Sequence, residues 1–223
     1  MFKNLKILSF LLIIILPTSV NSHVNHYKDL NSIEFEIYRN SKKIGKHIFS
    51  FERNGDELSV SSEINFEIKK LGVVFYKYIV RGKEIYKDGI LTKFNSKTNQ
   101  NSKTKFVNMD LIDGHYLIDG SSYQGKAPKD YLIGTWWNHS LVKAASQISA
   151  VSGRIIKQKV TFLGKETINI KGKNFKTLHF NFSSTDKKLG KKKKLNTDVW
   201  YDEETLNWVK ASFNKQGKWE YKL

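Results

Sequence analysis

Apolar and polar residues alternate with a period of two along most of this chain. In Ile33–Tyr38 an isoleucine or phenylalanine occupies every second position, and the same alternation runs through Leu58–Ile68. Each run has one apolar and one polar face, which is typical of an antiparallel sheet covered on one side. Turn sequences such as Asp88-Gly89 separate the runs and favour hairpins. The pattern therefore predicts a meander of antiparallel strands.

The alternation stops between residues 121 and 153, which contain Pro128, the pair Trp136-Trp137 and alanines that favour a helical turn. Long strands with one apolar face curl around an interior. We therefore expect an all-β fold, an antiparallel meander curled into a half-open barrel, with segment 121–153 as a short helical cap. The predicted strands are residues 33–39, 43–53, 57–69, 73–87, 90–98, 103–112, 115–119, 154–163, 166–171, 174–183, 196–202, 206–214 and 217–222.

The first 22 residues have the composition of a secretory signal peptide. Lys3 and Lys6 precede the apolar run Ile7–Leu16, and small residues including Val20 and Ser22 follow it. The apolar run is too short for a transmembrane helix, which needs about 20 residues. We expect cleavage after Ser22, export to the periplasm, and a single all-β domain over residues 23–223. Export removes ATP, nicotinamide cofactors and genomic DNA from the expected partners.

The chain is strongly basic and contains no cysteine. Its 38 lysines and arginines outnumber 21 acidic residues, giving a net charge of +17. Only four basic residues are arginine, the side chain that recognises bases and phosphates bidentately, so no nucleic-acid partner is expected. The absence of cysteine excludes disulfides and thiolate chemistry. The lysine excess has two interpretations, a biased codon composition shown on a solvated surface or an anionic partner.

The densest run of lysines lies between two predicted strands. Lys187–Lys194 holds six lysines in eight residues, which predicts an extended, solvated loop because like charges repel. An alternative is contact with an anionic membrane surface, where each lysine contributes about 1 kcal/mol. The residues predicted to make that contact are Lys191, Lys192, Lys193 and Lys194.

No catalytic or metal-binding motif is present in the sequence. The nucleophile elbow, the glycine-rich phosphate loop and the zincin motif are all absent, so no enzyme activity and no cofactor are expected. The acidic residues around Asp202 are interpreted as a turn rather than as a glycosidase carboxylate pair. One metal hypothesis remains: cleavage after Ser22 would give His23 a free amine and an imidazole, a pair suited to Cu(II).

The aromatic residues of the second half carry a resemblance. Thr135–Asn138 contains two adjacent tryptophans, Gly153 opens the stretch Arg154–Leu163, and Asp198–Asp202 reads Asp-Val-Trp-Tyr-Asp before Trp208-Val209. With glycines at 164 and 172, these features resemble a family of exported proteins of unknown function from Gram-negative bacteria. The resemblance covers roughly residues 31–222. More distantly, the chain is similar to the curved sheets of periplasmic lipoprotein carriers.

That resemblance implies binding of an apolar or lipid-like ligand in the concave face of the sheet, without catalysis. The alternatives are an envelope assembly role through an exposed patch or sheet edge, and a hydrolase with an unrecognised site. The sequence leaves the ligand, the pathway and the oligomeric state open. Aromatic side chains predicted to line or gate the ligand site are Trp136, Trp137, Trp200, Phe180 and Phe182.

Overall fold

The protein is an all-β domain of fifteen strands, seen in a computed structural model that describes residues 27–190 and 193–223. Alternation of buried and exposed residues along the strands follows the sequence pattern, as in β7, whose burial alternates at every residue. The strands are β1 (Ser32–Arg39), β2 (Lys42–Asn54), β3 (Glu57–Lys70), β4 (Val73–Lys87), β5 (Ile90–Gln100), β6 (Lys103–Ile112), β7 (His115–Gly120), β8 (Tyr123–Pro128), β9 (Leu132–Ile133), β10 (Ser146–Ile148), β11 (Ile155–Ile170), β12 (Lys173–Ser184), β13 (Asn196–Asp202), β14 (Trp208–Asn214) and β15 (Lys218–Lys222).

The strands form one sheet in the order β8-β7-β6-β5-β4-β3-β2-β1-β15-β14-β13-β12-β11-β10-β9. Nearly every strand pairs with its neighbour in sequence, which confirms the predicted meander. The exceptional pairing joins the two ends of the described chain, with Arg39 of β1 opposite Trp219 of β15. The sheet is mixed, because β9 runs parallel to β10, and strand pairing does not close it.

The predicted strand boundaries are close to the observed ones, apart from the region around Gly164. The sequence predicts two strands separated by a turn there, but β11 is one continuous strand of 16 residues. Gly164 instead lies at a β-bulge opposite β12, with a φ of 132° that favours glycine. A glycine within a strand can mark a bulge as well as a turn, and here it marks a bulge.

The helical cap is not found. Segment 121–153 contains β8, β9 and β10, and its one helical element in the described chain is a 3-10 turn, His139–Lys143, capped by the side chain of Asn138. Ala144, expected to favour a helix, is extended. Helix propensity is a weak preference, and packing against the sheet outweighs it in so short a segment.

Residues 129–153, called the inner segment below, contribute β9 and β10 to one edge of the sheet, and the stretch between these two strands packs against its concave face. Trp137, Leu141 and Ile148 are fully buried in the single core cluster, among side chains from both halves of the sheet. At the seam between the halves, the Ser122 N–H donates to the Ser152 carbonyl at 2.9 Å. A Cβ on Gly120 would lie 2.8 Å from that carbonyl oxygen, so glycine permits the close approach.

The meander gives the sheet two distinct ends, named here after one turn at each. Because successive hairpins reverse direction, the β1–β2, β3–β4, β5–β6 and β14–β15 turns and the β12–β13 loop share the Leu71 end. The β2–β3, β4–β5 and β6–β7 turns share the Asp88 end. Several turns have positive φ at both central residues, the conformation that matches the strand twist. These turns are Asn40-Ser41, Leu71-Gly72, Asp88-Gly89, Asn101-Ser102, Asp113-Gly114 and Lys171-Gly172.

Candidate functional site

Trp137, one of the predicted lining residues, is completely buried in the core. Its ring packs edge-on against Tyr27, Phe51 and Tyr86, with ring centroids between 5.6 and 5.7 Å apart. Its indole N–H donates to Glu84 Oε1 at 2.9 Å. The contacts join the inner segment to β2 and β4, so Trp137 holds that segment inside the sheet.

Glu84 is a buried carboxyl group, 2% exposed, which sequence analysis did not identify. The Tyr86 hydroxyl and the Thr135 hydroxyl donate to it, as does Trp137. Burial raises the pKa of Glu84, and the three hydrogen bonds oppose that shift. Alternation along β4 places position 84 on the concave face. An acidic residue at a position where the pattern expects an apolar one is therefore the sequence signal that could have identified Glu84.

Trp136 adopts a φ of 58°, which directs its side chain away from that of its neighbour Trp137. The Trp136 ring lies edge-on to Trp208 at 5.5 Å and to Tyr221 at 5.8 Å, and its carbonyl accepts from the Tyr201 hydroxyl at 2.9 Å. The adjacent tryptophans therefore pack into two different parts of the core, one facing β2 and β4 and the other facing β13–β15.

The two predicted phenylalanines lie on the concave face of β12. Phe182 is fully buried, and Phe180 is partly buried, with its ring 6.1 Å from those of His139 and Tyr201. Together with the two adjacent tryptophans, these side chains fill the space between the sheet and the inner segment. The structure thus brings four of the five predicted residues into one packed interior.

Trp200 lies on the opposite, convex face of the sheet. Its ring stacks on His179 at 4.1 Å, and the Lys210 Nζ lies 4.4 Å from its centre. The indole N–H donates to Glu166 Oε1 at 2.5 Å, and His179 Nδ1 is 2.9 Å from the same oxygen. Trp200 is therefore separated from the other predicted lining residues by the thickness of the sheet.

His47 is a second buried ionisable side chain of the interior. It is 5% exposed, and its ring packs 4.2 Å from Phe49 and 5.9 Å from Trp208. Burial lowers the pKa of His47 from 6.5 to about 3, because the charged imidazolium cannot be solvated there. His47 is consequently neutral at ordinary pH and serves the packing of the core.

Two open clefts lie at the Leu71 end of the sheet. The larger has a volume of about 790 Å³ and lies between the β1–β2 and β3–β4 hairpins. It is lined by the apolar residues Ile44, Phe66 and Ile68 together with seven charged side chains. Phe66 in turn contacts Tyr76, Tyr78 and Trp219, so the apolar floor continues into the core. The charged residues are Arg39, Lys42, Lys43, Lys46, Lys69, Lys77 and Glu67.

Neighbouring carboxylates compensate part of this positive charge. Lys77 and Lys69 lie 3.1 and 3.9 Å from Glu67, and Lys43 pairs with Glu36. The pKa of Glu36 falls to about 2, chiefly because of the hydrogen bond from Lys43. The lysines of these pairs keep more than half of their side-chain surface exposed, so an incoming anion can reach them. The cleft thus combines an apolar floor with a basic rim.

Some predictions concern residues outside the described chain. These are the signal peptide, the copper site at His23, and two of the predicted membrane-contact lysines, Lys191 and Lys192. Lys193 and Lys194 lie just before β13, at the Leu71 end. Across residues 27–190 and 193–223, no three histidine or acidic side chains are grouped closely enough to hold a metal ion. Within the same ranges, no helix has the length and apolar character needed to cross a membrane.

Comparison with known proteins places the chain in a family. Residues 35–223 match the model of a domain of unknown function, DUF6134, and the chain belongs to that family. Among solved structures, it is similar to the beta-barrel-like protein of domain of unknown function DUF1849 from Brucella abortus. That match has a TM-score of 0.61 at 9% identity and covers 86% of this chain and 94% of the other. It supports a barrel-like fold. A comparison with curated proteins gives no match.

Proposed function

We propose that this protein binds an amphiphilic anion, such as a fatty acid or a lipid with an anionic head group, without catalysing a reaction. The ligand site of the proposal is the cleft at the Leu71 end. The inner segment fills the concave interior with its own side chains, so a ligand is not placed there. The role belongs outside the cytoplasm, as the predicted signal peptide implies.

The observation that carries the proposal is the pairing of an apolar floor with a basic rim. Six basic side chains and one acidic one line the cleft around Ile44, Phe66 and Ile68. An acyl chain would remove the apolar floor from water, a contribution of about 25 cal/mol per Å² buried. A carboxylate or phosphate head group would take charge-assisted hydrogen bonds from the lysines.

The chemistry of the cleft supports binding rather than catalysis. Its lining residues contain no hydroxyl, imidazole or thiol that could serve as a nucleophile or a general base. The one carboxylate, Glu67, faces two lysines and has no second carboxylate beside it among the lining residues. Glycoside hydrolysis needs two carboxyl groups at a defined separation.

Titration with dodecanoate below its micellar concentration tests the proposal. Trp219 lies 5.2 Å from Phe66, so occupation of the cleft is expected to change tryptophan fluorescence, and calorimetry gives the affinity. Ile68→Asp places a charge in the apolar floor and is expected to weaken binding by at least about tenfold. Lys42→Glu is expected to weaken it severalfold.

Lys93→Glu is the matched control, because Lys93 pairs with Asp110 and does not line the cleft. It is expected to bind dodecanoate like the wild type. Dodecanol, which has the same chain without the charge, is expected to bind more weakly. No heat and no fluorescence change with dodecanoate, or equal losses for Lys42→Glu and Lys93→Glu, would refute the cleft as the site.

A further inference from the structure

The tip of the β3–β4 hairpin exposes an apolar cluster that the fold does not use. Leu71 is 97% exposed, Phe75 72%, Val73 70% and Val74 44%. These four residues lie within five consecutive positions, and none belongs to the core cluster. Isolated apolar residues on a surface are ordinary, but a contiguous exposed cluster marks an interaction site.

Leu71 also occupies an unfavourable backbone position. Its φ is 50°, in the left-handed region, where an L residue with a bulky side chain costs about 1–2 kcal/mol. The corresponding position holds Asn or Asp, which tolerate this conformation, in the turns at Asn40, Asp88, Asn101 and Asp113, and a lysine in the turn at Lys171. Leu71 therefore lowers the stability of the turn and is exposed to solvent, and neither folding nor solubility explains it.

Basic residues flank this apolar tip. Lys69 and Lys70 precede it and Lys77 follows, and the nearest acidic residue in the sequence is Glu67, which pairs with Lys69 and Lys77. Other basic groups share the Leu71 end, including Lys42 at the start of β2 and Lys187 and Lys188 in the β12–β13 loop. An apolar tip within a basic collar is complementary to an anionic bilayer, with hydrocarbon inside and negative head groups around it.

We infer that Leu71–Phe75 inserts into an anionic membrane surface, while the surrounding lysines contact the lipid head groups. This rests on the proposed function and deepens it, because the cleft lies beside the hairpin and would face the lipid source of its ligand. The hairpin exposes its apolar residues in the described conformation, and its two strands pair with each other as far as Lys70 and Val73 at the turn.

The experiment measures vesicle partitioning of protein recovered from the periplasm of an expression host. Vesicles contain equal amounts of phosphatidylglycerol and phosphatidylcholine, or phosphatidylcholine alone, and bound protein is quantified by co-sedimentation. The wild type is expected to partition into the anionic vesicles more strongly, and raised salt is expected to weaken that binding. Leu71→Asn is expected to lower the partition coefficient by about tenfold, since it removes one large apolar side chain from the hydrocarbon.

Ile90→Asn provides the matched control at the Asp88 end. Ile90 is 50% exposed and follows the Asp88-Gly89 turn, so it offers a comparable apolar loss on the far side of the molecule. It is expected to leave partitioning unchanged. Equal partitioning of wild type and Leu71→Asn, or an equal loss for Ile90→Asn, would overturn the inference. Thermal unfolding accompanies each variant, and Leu71→Asn is expected to be at least as stable as the wild type.

Two further measurements separate this inference from the proposed function. Phe75→Trp with brominated acyl chains reports the depth of the tip: quenching places it in the hydrocarbon, and no added quenching over the wild type contradicts insertion. Dodecanoate binding in solution tests the cleft alone. Leu71→Asn is expected to bind dodecanoate normally, so a protein that partitions but does not bind dodecanoate would refute the cleft while supporting the tip.

Discussion

Large apolar side chains are buried in the inner segment and exposed at the β3–β4 tip. Trp137 is fully buried, and even its N–H has an acceptor in Glu84. Leu71 is 97% exposed and sits in a backbone conformation that disfavours it. The first arrangement stabilises the fold, whereas the second costs stability. An exposed apolar residue therefore indicates an interaction site only when both its backbone conformation and its contact with water are unfavourable.

Replacing the buried Trp137 should produce the largest change in the stability of the protein. Trp137→Ala is expected to lower the free energy of unfolding by about 3–5 kcal/mol, because it creates a cavity and removes a hydrogen bond to Glu84. Urea unfolding followed by circular dichroism measures the change. Phe75→Ala, at the exposed tip, is expected to stay within about 0.5 kcal/mol of the wild type. Similar losses for both variants would contradict the contrast between core and tip.

Acid should destabilise the interior through His47. Its pKa is 6.5 when unfolded and about 3 when buried, so the unfolded chain binds the proton more readily between these values. Stability contributed by the neutral imidazole is present above pH 6.5 and is lost as pH falls, by about 1.4 kcal/mol per pH unit. His47→Leu is expected to remove this slope in unfolding measurements from pH 6.5 to 4. A slope equal to that of the wild type would be inconsistent with a neutral buried His47.

Glu84 should give the stability of the protein a pH dependence of opposite sign to that of His47. Its pKa in the folded protein is raised above the ordinary 4.5, so the folded state binds the proton more tightly and stability falls as pH rises above 4.5. Glu84→Gln removes the titrating group while keeping an oxygen that can accept from Trp137. We expect the variant to gain stability relative to the wild type with increasing pH until Glu84 is ionised. A constant difference between the two proteins would argue against the raised pKa.

The smallest expected change in stability is at the tip of the β3–β4 hairpin. Leu71→Asn is expected to raise the free energy of unfolding by about 1 kcal/mol, because asparagine tolerates the left-handed conformation that leucine disfavours. Differential scanning calorimetry checks the shift in Tm. The Asp88→Leu variant, which places leucine in the matching turn at the other end, is expected to lose a similar amount. Destabilisation by Leu71→Asn would show that the leucine contributes to folding after all.

Much of the sheet could be predicted from the sequence, because strands with one covered face alternate at a period of two and their turns carry recognisable residues. The predicted segment 73–87 matches β4 at both ends. The inner segment could not be predicted, since its conformation is determined by contacts with distant strands and not by its alanines. Glu84 and the apolar tip were overlooked for different reasons. The position of Glu84 in the alternation of β4 indicated burial, but a lone acidic residue in a strand is more often exposed. Leu71–Phe75 has the sequence of an ordinary strand, and only the structure shows that it is exposed.

The pairing of β1 with β15 has a consequence for how the chain matures. β1 pairs with β2 through a short hairpin, but its other edge pairs with β15, whose residues Lys218–Lys222 are far away in sequence. Until those residues emerge, β1 and β14 each present an unpaired edge capable of joining another chain. A truncation that removes Lys218–Lys222 would therefore open the middle of the sheet and favour aggregation.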